Sequence, residues 1–104
     1  MPTTVVVTRD VPGRYRGFLS SVMAEVAPGV YLAPRLSAAV RERLWGVIES
    51  WWSAAPGGSV LLIYADRDAP GLMTVRSLGV PPVELADLCG VRVAVRTYAP
   101  EADG

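Results

Sequence analysis

Hydrophobic positions along the chain fall into runs of two periods, separated by Pro and Gly. Thr3 to Thr8 is β-branched throughout and too short for a buried helix, which predicts a central strand covered on both faces. Pro12 and Gly13 punctuate its end. From Arg14 the apolar residues Phe18, Leu19, Val22, Met23 and Val26 recur at helical spacing until Pro28-Gly29, predicting a first helix of about three turns. Val30, Tyr31 and Leu32 form a short extended piece before Pro34, open to pairing with Glu25 to Ala27 in a bulged or split hairpin. Ser37 reads as the N-cap of a second helix whose apolar stripe is Val40, Leu44, Val47, Ile48 and Trp51, and Pro56-Gly57-Gly58 ends it. Val60 to Ala65 is again continuously apolar, an interior strand. An acidic turn and Pro70-Gly71 separate it from a hairpin partner at Leu72 to Leu78. Beyond Pro81-Pro82, Val91, Val93 and Val95 alternate with Arg92, Ala94 and Arg96, the pattern of a half-buried strand.

The order is strand, helix, short strand, helix and three strands, with no internal repeat. Two amphipathic helices can cover one face of an antiparallel sheet, so the expected fold is α+β, a ferredoxin-like two-layer sandwich with both helices on one face. The other face also needs a cover. Strands that are apolar on both sides make a second copy of the sheet the economical candidate, hence a homodimer through the sheets. One domain spans residues 1–99, and the acidic tail 100–104 is expected to fray.

Composition narrows the chemistry. At 104 residues the chain supports one modest core. Ten basic and ten acidic residues cancel, so any nucleic-acid contact must come from a local patch. All the basic residues are Arg, which coding bias explains, although Arg is also the better bidentate phosphate ligand. The lone Cys89 excludes an internal disulfide, and the absence of His removes the usual neutral-pH base. No basic-then-apolar leader opens the sequence and no apolar run approaches the ~18 residues of a membrane span, so a cytoplasmic protein is expected.

The stretch VVVTRDVPGRYRGFL carries the strongest candidate chemistry. Arg14 and Arg16 enter the first helix at its positive end, where a cation is disfavoured by roughly 0.3–1 kcal/mol. They are either a solvated pair or a phosphate clamp that adds guanidinium donors to free backbone N–H groups. Residues two apart on a helix point roughly 200° from each other, which restricts how both could reach one backbone. Asp10 has two readings: an N-cap, or a metal ligand that would need company, such as a second Asp10 across a dimer axis to hold magnesium. Trp45 and Trp52 sit at the edge of the second helix's stripe, as core rim or as partner contacts. Arg92, Arg96 and Tyr98 share the outward side of the last strand, where pairing with another chain is cheap.

The motifs VVVT, VP.R.RG, EV..GVY and S..(V)RE..W, running from about Thr3 to Ala65, resemble the small CRISPR-associated protein (Cas protein two), specifically its type I-E branch. The resemblance implies a ferredoxin-like homodimer bound between two dimers of the larger CRISPR integrase subunit, in a complex that captures double-stranded invader DNA and inserts it into the repeat array. By it, Arg14 and Arg16 match arginines that touch the phosphate backbone of the captured duplex. Arg92, Arg96 and Tyr98 would then serve partner binding. The wider family is also credited with magnesium-dependent endonuclease activity, described as endoribonuclease, which would fall to Asp10. Here Arg9 stands where nuclease-type relatives are acidic, with Asp10 one position later. Ala27 and Ala39 stand where some relatives are basic, and the loop before Pro81 lacks a basic pair.

Overall fold

The computed structural model describes residues 3–80 and the backbone of two further strands, Val83–Leu88 and Val91–Arg96. In chain order the elements are β1 (Thr4–Arg9), α1 (Gly13–Ser20), β2 (Ala24–Ala27), β3 (Val30–Ala33), α2 (Ala38–Ala54), β4 (Ser59–Ala65), a 3-10 turn (Pro70–Leu72), β5 (Met73–Leu78), β6 (Val83–Leu88) and β7 (Val91–Arg96). The main sheet is antiparallel, in the order β2-β3-β1-β4-β5, and β6 pairs with β7 separately. Its first four strands with the two helices form the ferredoxin-like sandwich that the sequence predicts, and β5 extends it as a hairpin arm.

β1 lies between β3 and β4 and alternates as a strand must. Thr4 and Val6 are buried on the helix side, while Val5 and Val7 point away. The registers bring Val6, Tyr31 and Leu62 together on the inner face. Leu19 of α1 and Leu44, Trp45 and Ile48 of α2 close over them. Trp51 ties the two helices, meeting Tyr15 edge-on at 5.4 Å between centroids and Phe18 at 5.5 Å. On the opposite face Val5, Val7, Val30, Leu32, Leu61, Ile63 and Val75 form an aliphatic surface that is only half-buried within one chain.

Several sequence expectations are corrected. The first helix ends at Ser20 rather than running to Val26. Ser21 closes its C-terminus, its hydroxyl bonding the Phe18 carbonyl at 2.6 Å and its N–H the same oxygen at 3.1 Å. Leu19 and Met23 are both buried, because the turn after the helix keeps Met23 over the core; this preserves the helical spacing without the helix. Ala24 to Ala27 instead pair with β3, and the register shift between Glu25 and Ala27 leaves Val26 as the extra residue of a bulge, 58% exposed. The bulged hairpin foreseen around Val30 is thus real. Trp45 is core rather than rim, and Trp52 is half-buried with its Nε1 donating to the Gly58 carbonyl at 3.4 Å. The sequence pattern does not predict β6, because VELADL puts charged residues among apolar ones and follows two prolines. Ser37 caps α2 as expected, accepting from the Val40 N–H at 3.2 Å. Cys89, Tyr98 and the tail 100–104 lie outside the described residues, as do the side chains of Arg92 and Arg96.

Two local features yield stability tests. Gly58 adopts φ +72°, and a Cβ there would lie 2.5 Å from the Arg9 carbonyl oxygen and closer still to that of Asp10, whereas a Cβ on Gly57 meets nothing within 4 Å. Gly58→Ala should therefore lower stability by more than about 1 kcal/mol, and Gly57→Ala should leave it nearly unchanged, in denaturant titrations. Tyr15 is 1% exposed and its hydroxyl finds no hydrogen-bond partner among the described residues. Tyr15→Phe should raise the melting temperature, since an unsatisfied buried hydroxyl costs about 1–3 kcal/mol.

Candidate nucleic-acid interface

The turn leaving β1 determines how the arginines are presented. Arg9 ends the strand opposite Ser59, and Asp10 turns the chain at φ 58°, a left-handed conformation that Asp tolerates better than most residues. Pro12 occupies the N-cap position of α1 with φ −58° and ψ 154°, and its carbonyl accepts from the Tyr15 N–H at 3.1 Å. No side chain caps the helix, which overturns the N-cap reading of Asp10. The physical reason is its position: Asp10 lies two residues upstream of the cap, and its left-handed backbone belongs to the strand-to-helix corner. Asp10 is exposed.

Arg14 and Arg16 leave α1 in different directions, as their helical separation requires. The Arg14 guanidinium lies over the Trp51 ring, 4.6 Å from its centroid. Arg16 turns toward the β2–β3 hairpin, where its Nε donates to Glu25 Oε1 at 3.1 Å while the side chain stays 71% exposed. The structure thus does not bring the two arginines together. They flank the start of the helix, with no acidic residue in its first turn.

Glu25 is a residue that the sequence did not single out. Cross-strand register pairs it with Tyr31, which is buried on the helix side of the sheet, and so aims Glu25 toward α1. Its second oxygen accepts from the Gly29 N–H at 3.1 Å. Gly29 has φ +77° and its carbonyl in turn receives the Thr8 N–H and hydroxyl, locking the hairpin tip to β1. The Gly29 N–H foremost, and then the Arg16 charge, hold the Glu25 carboxyl below its ordinary range against the opposing effect of desolvation; the Tyr31 hydroxyl contributes least. Burial, aided by the Glu25 charge, pushes the Tyr31 phenol up. The available signal in the sequence was the motif EVAPGVY, in which Glu25 and Tyr31 face each other across a Pro-Gly turn. Thr8, Asp10, Arg16, Glu25, Gly29 and Tyr31 border an open groove of ≈ 730 Å³.

A second polar cluster lies across α2, β4 and β5. Arg41 stacks on Tyr64 at 3.6 Å from the ring centroid, and Glu42 joins Arg76 at 2.7 Å and Arg41 at 3.3 Å. The Arg76 hydrogen bond holds the Glu42 carboxyl low, and Asp66 is held low chiefly by the Asp68 N–H and then by the Thr74 hydroxyl. These arginines are anchored structurally. No helix among the described residues is long and apolar enough to cross a membrane.

Among the described residues, the depressed carboxyls Glu25, Glu42 and Asp66 imply a direction of pH dependence. A group whose value is lower in the folded than in the unfolded state stabilises fully above its unfolded value, and that contribution disappears as pH falls through the folded value. The melting temperature should accordingly drop when the protein is acidified below the ordinary carboxylate range. Glu25→Gln should make the drop smaller, as followed by circular dichroism across pH.

The pattern of this chain matches a known family over most of its length: residues 3–93 fit the family described as CRISPR-associated protein (Cas_Cas2CT1978).

Proposed function

The chain belongs to this CRISPR-associated family, which gives it a general role in CRISPR adaptation, and on that premise we propose that it is a non-catalytic dimeric scaffold of the spacer-acquisition complex, of the type I-E kind. It would bridge dimers of the larger integrase subunit in the cytoplasm and hold captured duplex DNA by its phosphates. The observation that carries this reading is the placement of Arg14 and Arg16. Both are exposed at the uncapped start of α1, where the helix's own field disfavours them and no acidic residue of the first turn offsets their charge. Arg14 rests on Trp51 and Arg16 bonds Glu25, yet both stay exposed, and a phosphate would gain from their free donors and from the nearby backbone N–H groups. Captured DNA has no fixed sequence, so backbone contacts suit it better than base readout.

The half-buried aliphatic face of the sheet supports dimerisation, since sheet-on-sheet packing would cover Val5, Val7, Leu61 and Ile63 at once. In this reading the C-terminal strands β6 and β7, with Arg92, Arg96 and Tyr98, form the edge offered to the integrase subunit.

The alternative is an endonuclease acting on RNA or DNA. Magnesium takes oxygen ligands and can be held by one or two carboxylates with waters completing its shell. Exposed Asp10 is such a donor, but each chain offers a single one there, and no group of three His, Cys, Asp or Glu side chains suited to a metal occurs among the described residues. A hydrolytic site would thus require two Asp10 carboxylates at the dimer axis, beside the Arg9 charges. Bound magnesium would supply an activated water.

Replacing Arg14 and Arg16 together by Ala should weaken duplex binding by the assembled complex and flatten its salt dependence by about one unit of slope for each phosphate no longer neutralised. Light scattering should still find a folded dimer. Asp10→Asn should leave both DNA binding and spacer insertion near normal. Unchanged affinity and slope in the double variant would remove these arginines from the scaffold's DNA-binding surface. Failure of insertion by a correctly assembled Asp10→Asn complex would establish the hydrolytic alternative instead.

A further inference from the structure

An acidic residue bonded to a proposed phosphate ligand can act in two opposite ways. It can neutralise the arginine and compete with phosphate, or it can hold the guanidinium in a productive orientation. We propose that Glu25 is a positioning residue, which fixes Arg16 by its Nε so that the Nη fork is presented to a DNA phosphate. The inference rests on the assignment of Arg16 to the DNA contact.

Three observations favour positioning over competition. The bond engages Nε of Arg16, at 3.1 Å, and the Nη pair can still meet a phosphate end-on. The side chain is 71% exposed on the Arg16 side but only 20% on that of Glu25, so one partner is embedded and the other projects. Glu25 is itself held from behind by the Gly29 N–H at 3.1 Å, at the tip of a hairpin that Thr8 ties to the central strand. The carboxylate is therefore held within the hairpin frame, and Arg16 is the exposed member that gains from it. A long side chain ordered before binding loses less freedom when it meets its ligand. The repulsion between Glu25 and an incoming phosphate is weakened because the carboxylate already serves two donors and solvent screens the exposed side.

The two roles differ in sign and in coupling, so a mutant cycle on duplex affinity separates them. The assay measures anisotropy of a fluorescein-labelled DNA duplex titrated with the assembled complex at several salt concentrations. Glu25→Ala should weaken binding on the order of two- to tenfold, the effect expected from releasing one rotamer-rich side chain. The salt slope should stay unchanged, because the charge that meets the phosphate remains. In an Arg16→Ala background the Glu25→Ala change should have no further effect. Glu25→Gln, which keeps an oxygen acceptor for Nε, should restore most of the affinity and also guards against a fold defect from truncation. Tighter binding by Glu25→Ala, strongest at low salt, would overturn positioning and make Glu25 a competitor. An equal loss with and without Arg16 would overturn it as well, by reducing Glu25 to a structural support. If Arg16→Ala alone leaves affinity unchanged, the DNA contact of Arg16 fails, and positioning fails with it; if Arg16→Ala weakens binding but Glu25→Ala does not, only positioning fails.

Discussion

The architecture depends on satisfying β1 at both edges and on its inner face. Its two edges are hydrogen-bonded to β3 and β4, its inner face meets the helices, and its outer face is aliphatic. A strand of three consecutive valines flanked by threonines can be stable only in such surroundings, since each face left in water forfeits apolar burial. The sheet order follows from this need. The crossover through α1 delivers β2 and β3 to one side, and the crossover through α2 returns β4 to the other. The helices then lie on the same face and share the Tyr31, Leu62 and Ile48 core.

The same strand organises the candidate interface. Because β1 ends at Arg9 and the chain must turn at once onto the helix layer, Asp10 takes a left-handed corner, and Gly58 of the neighbouring connection comes close beneath it. That corner sets where α1 begins and so where Arg14 and Arg16 emerge. The two guanidiniums are then supported by different neighbours, one by an indole on α2 and the other by a carboxylate on β2. An aromatic face and an ionised acceptor restrain an arginine differently: the ring holds the guanidinium by dispersion and quadrupole, whereas the carboxylate bonds a chosen nitrogen. Duplex contacts made from this platform would be spaced across the helix start rather than concentrated at one phosphate.

Much of this was legible along the chain. Continuous apolar runs identified β1 and β4, the Ser37 hydroxyl marked the start of α2, and Pro56 with its glycines marked the end of that helix. The arginine pair stood out because its charge opposes the helix end on which it sits. The errors had a common origin. Leu19 and Met23 keep helical spacing across a turn, Val26 fits as the next member of that series, and Asp10 fits a cap because Asp is one of the residues favoured there. Residues 24–27 pair with β3 only a few residues further on, whereas Asp10 belongs to a strand-to-helix corner packed against the distant Gly58.

By itself, then, the sequence determined the two helices, the interior strands β1 and β4 with their faces, the aliphatic character of the outer sheet face, and the presence of a cationic entrance to α1. Those properties are local: they arise from side-chain period, backbone propensity and charge within a few residues. Tertiary structure alone decided that Glu25 reaches Arg16, that Arg14 rests on Trp51, and that Trp45 is core rather than rim. Those outcomes depend on strand register and on helix placement over the sheet. A bulge of one residue at Val26 changes which side chains face the helices, and the local pattern, which allows a bulged hairpin here, does not say which residue is the extra one.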